Sequence, residues 1–267
     1  MSTLVCFHAH PDDEAIATGG LMSAAAARGH RVVLVTATRG EQGEPVEGVL
    51  DAGEELWERR MVELAKSSEI LGAEEPRWLG YHDSGMIGED TNDLEGSFWT
   101  ADMDEATDRF AAILTEVDAD VVTIYDKDGG YGHPDHIMVH RVGLAAATKV
   151  GVEHVYESTM NRTAMQEMLE EQADLFDGDG PADDDRIDVD NMGTPAADIS
   201  YRLDVVNQIG KKRDSMMAHQ SQIGPDSLFM KMPDEIFAAA FGSEWFNIPG
   251  VTDTGGPADV DLLPGLD

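Results

Sequence analysis

Short apolar runs alternate with amphipathic stretches along this chain, and the alternation predicts strands separated by helices. Apolar runs bounded by turn residues predict strands at residues 5–8, 31–37, 77–79, 121–125, 155–158, 199–203 and 245–246. Helical spacing of apolar residues predicts helices at residues 14–28, 54–71, 104–117, 137–150, 163–173, 205–218 and 233–241. The predicted fold class is therefore α/β, with a Rossmann-like, mostly parallel sheet and helices on both faces.

The chain is predicted to form one domain of uneven composition. Residues 1–173 form its Rossmann-like core, and residues 191–249 add a smaller C-terminal α+β portion to the same domain. Between them, residues 174–190 include eight Asp and predict a solvated insertion loop. Calcium binding is the weaker alternative there, because the EF-hand spacing of oxygen ligands is missing. Residues 250–267 are rich in Gly, Pro and Asp and are expected to form a flexible tail.

The charge balance narrows the partners that we expect. The 267 residues include 53 acidic and 18 basic side chains, for a formal net charge of -35. Nucleic acid and anionic membranes are bound through clustered Lys and Arg, so neither is an expected partner. We favour adaptation to a salty cytoplasm, where counterions screen the acidic surface; attraction of a cationic partner is the alternative.

The chain also carries signals about its compartment. A single cysteine, Cys6, excludes an intrachain disulfide and fits a reducing cytoplasm. No apolar stretch approaches the roughly 20 residues of a membrane span. The first residues show no basic region or cleavage site, so we do not expect a secretory signal. We therefore expect a cytoplasmic globular protein. A homo-oligomer is as compatible with this composition as a monomer.

Histidine and aspartate residues cluster directly after two of the predicted strands. Residues 9–14 are Ala-His-Pro-Asp-Asp-Glu, and residues 132–136 are Gly-His-Pro-Asp-His. Because ligands bind at the carboxyl ends of the strands in open α/β sheets, we expect the two segments to meet there. Converging imidazole and carboxylate groups suit a zinc-like ion with one open position. The pattern therefore predicts a metal-dependent hydrolase.

Each residue of the two segments also has an ordinary structural interpretation. Asp12 or Asp13 could cap the following helix, and His133 or His136 alone could be a surface or capping histidine. Capping does not explain His10, however. Two adjacent carboxylates are also costly to desolvate unless a cation or protons compensate them. The residue types alone do not decide which of His133 and His136 binds the metal.

The two segments resemble the signature of the PIG-L (LmbE-like) zinc deacetylases. That family includes N-acetylglucosaminyl-phosphatidylinositol deacetylase and the mycothiol-pathway deacetylase and amidase. The resemblance extends from Val5 to about Phe246, apart from the acidic insertion, and residues 9–14 and 129–136 carry it most specifically. It implies a zinc ion on His10, Asp13 and His136, and iron could replace zinc in the same ligands.

The resemblance also implies roles for neighbouring side chains. Asp12 would be the general base, and His133 would polarise the substrate carbonyl or protonate the leaving amine. Asp135 would orient His133, and Tyr131 would lie over the reacting carbonyl. The general acid stays open between His133 and Asp12.

Three further positions match substrate-binding residues of the family. Arg60 resembles its sugar-contacting arginine, Asp83 its hydroxyl-binding aspartate, and His219 a residue near the rim of the pocket. On spacing alone, Arg60 is equally well explained as half of a surface arginine pair on a charged helix. His219 has a similar alternative, as a solvated polar residue at a helix end.

The expected activity is removal of an acyl group, by implication acetyl, from an amide nitrogen of an N-acetylglucosamine-type sugar or glycoside. An amidase acting on a mycothiol-type thiol conjugate is the alternative among enzymes. A catalytically silent metal- or carbohydrate-binding relative is the alternative of a different class. The turn after residues 5–8 lacks the Gly-x-Gly-x-x-Gly fingerprint, which argues against a dinucleotide-binding oxidoreductase.

Overall fold

Eight strands form one sheet in the computed structural model, which describes residues 1–171 and 192–266. They are β1 (Thr3–His8), β2 (Arg31–Thr36), β3 (Arg77–Trp78), β4 (Val121–Tyr125), β5 (His154–Thr159), β6 (Tyr201–Asp204), β7 (Ser243–Asn247) and β8 (Ala258–Val260). Their order across the sheet is β3-β2-β1-β4-β5-β7-β6-β8. Neighbours are parallel except that β7 is antiparallel to β5 and to β6, so the predicted mostly parallel sheet is confirmed.

Helices cover both faces of the sheet, as predicted. They are α1 (Asp13–Ala17), α2 (Gly19–Ala27), α3 (Leu56–Leu71), α4 (Met103–Val117), α5 (Gly129–Gly132), α6 (Pro134–Val150), α7 (Arg162–Glu171), α8 (Ile209–Ala218), α9 (Leu228–Lys231) and α10 (Asp234–Phe241). Alternate residues of β1 show the two layers: Val5 and Phe7 pack with α4 and α6, whereas Leu4 and Cys6 pack with α2 and α3. Within residues 1–171 and 192–266, no helix is long and apolar enough to cross a membrane.

The order of the strands places a crevice between β1 and β4. β1 pairs in parallel with β2 on one side and with β4 on the other. The chain therefore moves one way across the sheet from β1 to β3 and the other way from β4 onward. In open α/β sheets such a switch point leaves a crevice at the carboxyl ends of the two central strands. The two His/Asp segments follow these two strands.

One predicted helix is divided in two. Residues 14–28 were expected to form a single helix, but α1 and α2 are separated at Thr18, whose φ of -134° is not helical. The Thr18 hydroxyl hydrogen-bonds His8 Nε2 at 2.8 Å, and a Cβ on Gly20 would lie 2.4 Å from Val205. These close contacts fix each piece separately: α1 packs against α8, and α2 packs both on the sheet and against α8.

The C-terminal segment is ordered and packed, which differs from its prediction. The predicted acidic loop at 174–190 lies outside the described residues. The expected flexible tail, residues 250–267, is described to residue 266, and its β8 pairs in parallel with β6. Three of its leucines are buried in the apolar layer beneath β1 and β4, namely Leu262, Leu263 and Leu266. Full burial of a leucine contributes about 1.5–3 kcal/mol, which offsets the disordering effect of a Gly/Pro/Asp composition. The prediction of a flexible tail is therefore wrong.

Candidate metal centre

The turn between β1 and α1 carries the first His/Asp segment in a strained conformation. Asp12 has φ 110° and ψ -30°, a region that residues other than Gly seldom adopt. Asp13 Oδ2 accepts the backbone N–H of His10 at 2.8 Å, and Asp12 Oδ2 lies 3.2 Å from the guanidinium of Arg60. Glu14 is fully buried. Three successive acidic side chains thus point to three different partners.

The loop between β4 and α6 depends on glycine. Gly129 and Gly130 have φ of 67° and 73°, and a Cβ on Gly129 would lie 2.8 Å from the Cβ of His136. Asp126 Oδ1 accepts the backbone N–H of Gly130 at 2.9 Å, which holds the loop against the end of the strand. This close approach brings Tyr131 beside the second segment, with its hydroxyl 3.5 Å from His136 Nε2.

α6 begins at Pro134, three residues before its predicted start, with His133 as the N-cap. The backbone N–H of Asp135 donates to His133 Nδ1 at 3.1 Å. The ring of His136 stacks on Tyr125, with 4.2 Å between ring centroids and 8° between planes. Both histidine rings are therefore held in defined orientations.

The two segments converge on Asp13. Its Oδ2 lies 3.5 Å from His10 Nδ1 and 3.5 Å from His136 Nε2. These separations exceed an ordinary hydrogen bond, but they match the distance of about 3.4 Å between two ligand atoms of a tetrahedral zinc-like ion. Two imidazole nitrogens and a carboxylate oxygen are also donor types that such ions accept. Asp13 is therefore placed to share a divalent metal ion with either histidine.

Further donors surround the same histidines. Donor atoms of His10, His133 and His136 lie within 4.8 Å of one another, and so do those of His10, Asp83 and Asp135. All five of these residues are buried. The structure thus brings the sequence-predicted residues of both segments into one cluster with more donors than a single ion needs.

The prediction that the side chain of Asp135 orients His133 is wrong, because its carboxylate contacts Ser84 and His10 instead. Its carboxylate accepts the backbone N–H of Ser84 at 2.9 Å, hydrogen-bonds the Ser84 hydroxyl and lies 3.2 Å from His10 Nε2. The contact with His133 is made by its main chain. Because Asp135 follows an N-cap, its N–H points back to the capping side chain while its carboxylate points away. The side chain of Asp135 therefore orients His10.

Burial and neighbouring charges shift the pKa values of the cluster. Burial lowers the pKa of His136 to about 4. Burial alone would also lower the pKa of His10, but Asp83, Asp13 and Asp135 outweigh it and raise this pKa well above its usual value. Burial would raise the pKa of Asp13, yet His136 and His10 hold it well below its usual range. A charged Asp13 and a neutral His136 are the states that metal binding requires, whereas His10 has to lose a proton before it can bind a metal.

Arg60 and Asp83 both lie at this cluster. Arg60 is buried, which excludes the surface-pair interpretation, and one guanidinium nitrogen donates to the carbonyl of Pro11 at 2.5 Å and approaches Asp12. Asp83 Oδ1 lies 3.3 Å from His10 Nε2. Contact of either side chain with a sugar stays a prediction.

His219 does not lie at the rim of the crevice, and the prediction that it contacts substrate is wrong. It is fully buried, with Nε2 2.6 Å from Glu14 Oε1. Its Nδ1 is buried without a hydrogen-bond partner among the described residues. α8, which ends just before it, packs against α1 and α3 and carries the ring inward. For a polar residue at a helix end, the sequence does not show whether the side chain points into the protein or towards solvent.

Three residues of the site escaped the sequence analysis. Ser84 holds the carboxylate of Asp135, Tyr125 stacks on His136, and Glu14 is buried behind the first turn. Ser84 and Glu14 are adjacent in sequence to predicted site residues, and Tyr125 is the last residue of a predicted strand. Their position in sequence, beside a predicted site residue or at the end of a predicted strand, was therefore the only available signal for these three residues. Position alone does not distinguish a side chain that supports the site from one that is exposed to solvent.

Comparison with known proteins agrees with this site. Residues 5–147 match the model of the PIG-L family, GlcNAc-PI de-N-acetylase. The chain belongs to this family. A 1D-myo-inositol 2-acetamido-2-deoxy-alpha-D-glucopyranoside deacetylase of Acidothermus cellulolyticus is 37% identical over 99% of this chain and 95% of the relative. Relatives with the same substrate name from Salinispora arenicola and Catenulispora acidiphila are 38% and 34% identical, over 92% and 98% of this chain and 82% and 89% of their own lengths.

Solved structures share the fold of this PIG-L protein at lower identity. N,N'-diacetylchitobiose deacetylase from Pyrococcus horikoshii has a TM-score of 0.60 at 20% identity, covering 93% of this chain and 84% of that one. The 4-carboxy-2-hydroxymuconate hydratase GalB from Pseudomonas putida has a TM-score of 0.57 at 18% identity, covering 94% and 98%. Because a deacetylase and a hydratase share this fold, the likeness shows the fold and leaves the reaction to the site.

Proposed function

We propose that this protein is a metal-dependent N-deacetylase that removes acetyl from an N-acetylglucosamine-type sugar or glycoside. The observation that carries the proposal is the meeting of Asp13 with His10 and His136 beside Asp12. Amide hydrolysis needs an activated water, a base and a donor for the oxyanion, and residues of those types lie in one crevice. The names of the relatives, deacetylases of an acetamido sugar joined to inositol, support the substrate class.

His10, Asp13 and His136 are the proposed metal ligands. Zinc suits these donors, and iron is the alternative. When bound, zinc lowers the pKa of a coordinated water to about 7 and polarises an acyl oxygen. Asp83 and Asp135 support the assignment because both carboxylates approach Nε2 of His10 and leave Nδ1 towards Asp13. A carboxylate on the second ring nitrogen orients a ligating histidine and increases its basicity.

Asp12 is the proposed general base. Burial raises its pKa to about 6, and the neighbouring Arg60 opposes that rise. A carboxyl group with a pKa near the working pH is ionised at neutral pH and can accept a proton and return it. Arg60 holds Oδ2, and we assign proton transfer to the other oxygen.

His133 is proposed to stabilise the oxyanion. Its Nδ1 accepts the N–H of Asp135, so the ring proton lies on Nε2. Burial lowers the pKa of His133 to about 3, so the ring is neutral and donates from Nε2 without a charge. The proton for the leaving amine then comes from Asp12. Tyr131, whose ring centroid is 6.1 Å from that of His133, is the proposed second donor.

The substrate is proposed to be an N-acetylglucosaminyl-inositol type of glycoside. Asp83 and Arg60 are the proposed contacts for its hydroxyl groups, because both reach the cluster from outside the two His/Asp segments. The competing hypothesis is an amide of a thiol conjugate, hydrolysed with the same ligands. The deacetylase names of relatives that match nearly the whole chain favour the acetylated sugar.

Metal analysis combined with an acetate-release assay tests the proposal. We expect about one equivalent of zinc or iron per chain, acetate release from the glycoside, loss of turnover on chelation and recovery on readdition. Asp12→Asn should retain the metal and lose about 100-fold or more in kcat, the range for a general base. Asp118→Asn is the control, because Asp118 is exposed and ends α4 with a φ of 54° that Asn also tolerates.

Two outcomes would change the proposal. Undiminished hydrolysis after exhaustive chelation would contradict metal dependence. Cleavage of a thiol conjugate without release of acetate from the sugar would replace the substrate hypothesis and leave the site assignment in place.

A further inference from the structure

The strained backbone of Asp12 is held by contacts on both sides. Its φ of 110° is a conformation that persists only where surrounding contacts determine it. On one side Arg60 donates to the carbonyl of Pro11 and approaches the carboxylate of Asp12. On the other side the backbone N–H of Asp12 donates to Glu14 Oε2 at 3.0 Å. Glu14 thus bonds the main chain of the residue to which we assign proton transfer.

Glu14 is itself fixed by two helices that are distant in sequence. Its Oε1 accepts the hydroxyl of Ser67, on α3, and lies 2.6 Å from Nε2 of His219, which follows α8. Glu14, Ser67 and His219 are all completely buried. None of the three can therefore touch a substrate in the crevice, so any effect of Glu14 on the reaction is indirect, and its bond to Asp12 provides a path.

We infer that Glu14, fixed by Ser67 and His219, is a positioning residue that keeps Asp12 in its strained conformation. The inference rests on the proposed role of Asp12 as the base. α1 has only five residues, and an isolated helix of that length does not hold its own first turn in water. Bonds to α3 and α8 supply the rigidity that α1 lacks. The Oε2 atom of Glu14 then transmits that rigidity to the backbone of Asp12.

Four variants separate positioning from a merely structural role. Glu14→Ala removes the bond to Asp12, whereas Ser67→Ala and His219→Leu each remove one support of Glu14. His219→Gln keeps an N–H donor at about the reach of Nε2 and serves as the rescue variant.

Glu244→Gln is the matched control. Glu244 is a buried carboxylate that accepts the backbone N–H groups of Gly20 and Leu21 at 2.7 and 2.8 Å and the ammonium group of Lys212 at 2.6 Å. It resembles Glu14 in chemistry, but it holds the start of α2. If loss of a buried carboxylate acts only through stability, substitutions of Glu14 and of Glu244 should have the same effect on kcat.

We expect kcat to fall about 100-fold in Glu14→Ala, the effect of misplacing a reacting group by about 1 Å. His219→Leu and Ser67→Ala should lose about tenfold, with KM within about threefold of wild type, since substrate binding is unchanged. His219→Gln should recover most of the loss, and bound metal should stay at the wild-type level in all four. Glu244→Gln should lower the melting temperature and leave kcat unchanged.

A crystal structure of Glu14→Ala tests the inference without any turnover. We expect the φ of Asp12 to leave the positive region and its contact with Arg60 to be lost. Retention of φ near 110° would overturn the inference, as would an unchanged kcat or a parallel loss of metal and kcat. Failure of the wild type to hydrolyse any acetylated sugar would instead count against the proposed function, and the crystal structure would still decide the role of Glu14.

Discussion

At the scale of single residues, the two ring nitrogens of His10 and of His8 have separate partners. His10 directs Nδ1 to Asp13 and Nε2 to Asp83 and Asp135. His8 hydrogen-bonds a tyrosine hydroxyl through Nδ1 and a threonine hydroxyl through Nε2, both at 2.8 Å. Because the second nitrogen fixes the ring and its tautomer, these partners decide which nitrogen is free for chemistry.

Ser84→Ala tests the role of Asp135 at this scale. The substitution removes one donor to the carboxylate of Asp135 and keeps the backbone N–H, so His10 should lose part of its orientation. We expect metal affinity to fall about tenfold, the lower range for loss of an outer-sphere partner. Competition with a chromophoric chelator measures it.

Ser215→Ala is the control for Ser84→Ala. The buried hydroxyl of Ser215 donates to the carbonyl of Lys212 within α8, so its loss should not change metal affinity. If Ser84→Ala binds metal as tightly as this control does, the link from Asp135 to His10 does not support the metal site.

At the scale of elements, the sequence predicts the strands that carry the site better than the segments that support them. β4 has its predicted bounds, and β1 begins two residues before its prediction, since strands of a buried parallel sheet are continuous apolar runs. The inward turn of His219 and the burial of the C-terminal leucines depend on partners far away in sequence. Periodicity does not contain that information. For the same reason Ser84 was not recognised as the partner of Asp135.

Asp126→Ala tests the loop between β4 and α6 as an element. Asp126 accepts the N–H groups of Asp128 and Gly130 and the hydroxyl of Thr159, so its loss frees the loop that carries Tyr131. We expect the free energy of unfolding to fall by about 1–3 kcal/mol, because buried donors lose their acceptor. We also expect kcat to fall about tenfold as the loop moves. Urea unfolding and steady-state kinetics measure the two effects.

Asp102→Ala provides the comparison for this loop. Asp102 is exposed and caps α4 by accepting the N–H of Glu105 at 3.0 Å. Its loss should cost about 1 kcal/mol of stability and leave kcat unchanged. Equal effects of the two substitutions on kcat would show that Asp126 acts only through stability.

At the scale of the whole molecule, the excess of acidic residues opposes folding unless salt screens it. Even if every basic side chain formed one ion pair, the net charge of -35 would remain. Exposed pairs such as Arg31 with Glu74 add little, because water and salt screen exposed ion pairs. The compact state brings the unpaired carboxylates closer together than the unfolded chain does, so their repulsion destabilises it.

Salt should therefore stabilise this protein, and substitution of an exposed acid shows whether screening is the cause. We expect the melting temperature to rise as the Debye length falls from about 10 Å at 0.1 M to about 3 Å at 1 M salt. Glu75 is exposed beside Glu74. Glu75→Gln should raise the melting temperature at low salt and Glu75→Lys should raise it further, because they remove one and two units of negative charge. Differential scanning calorimetry measures the melting temperatures, and both gains should vanish at 1 M salt. Gains that persist at 1 M would assign the effect to local packing and leave the acidic surface without a role in stability.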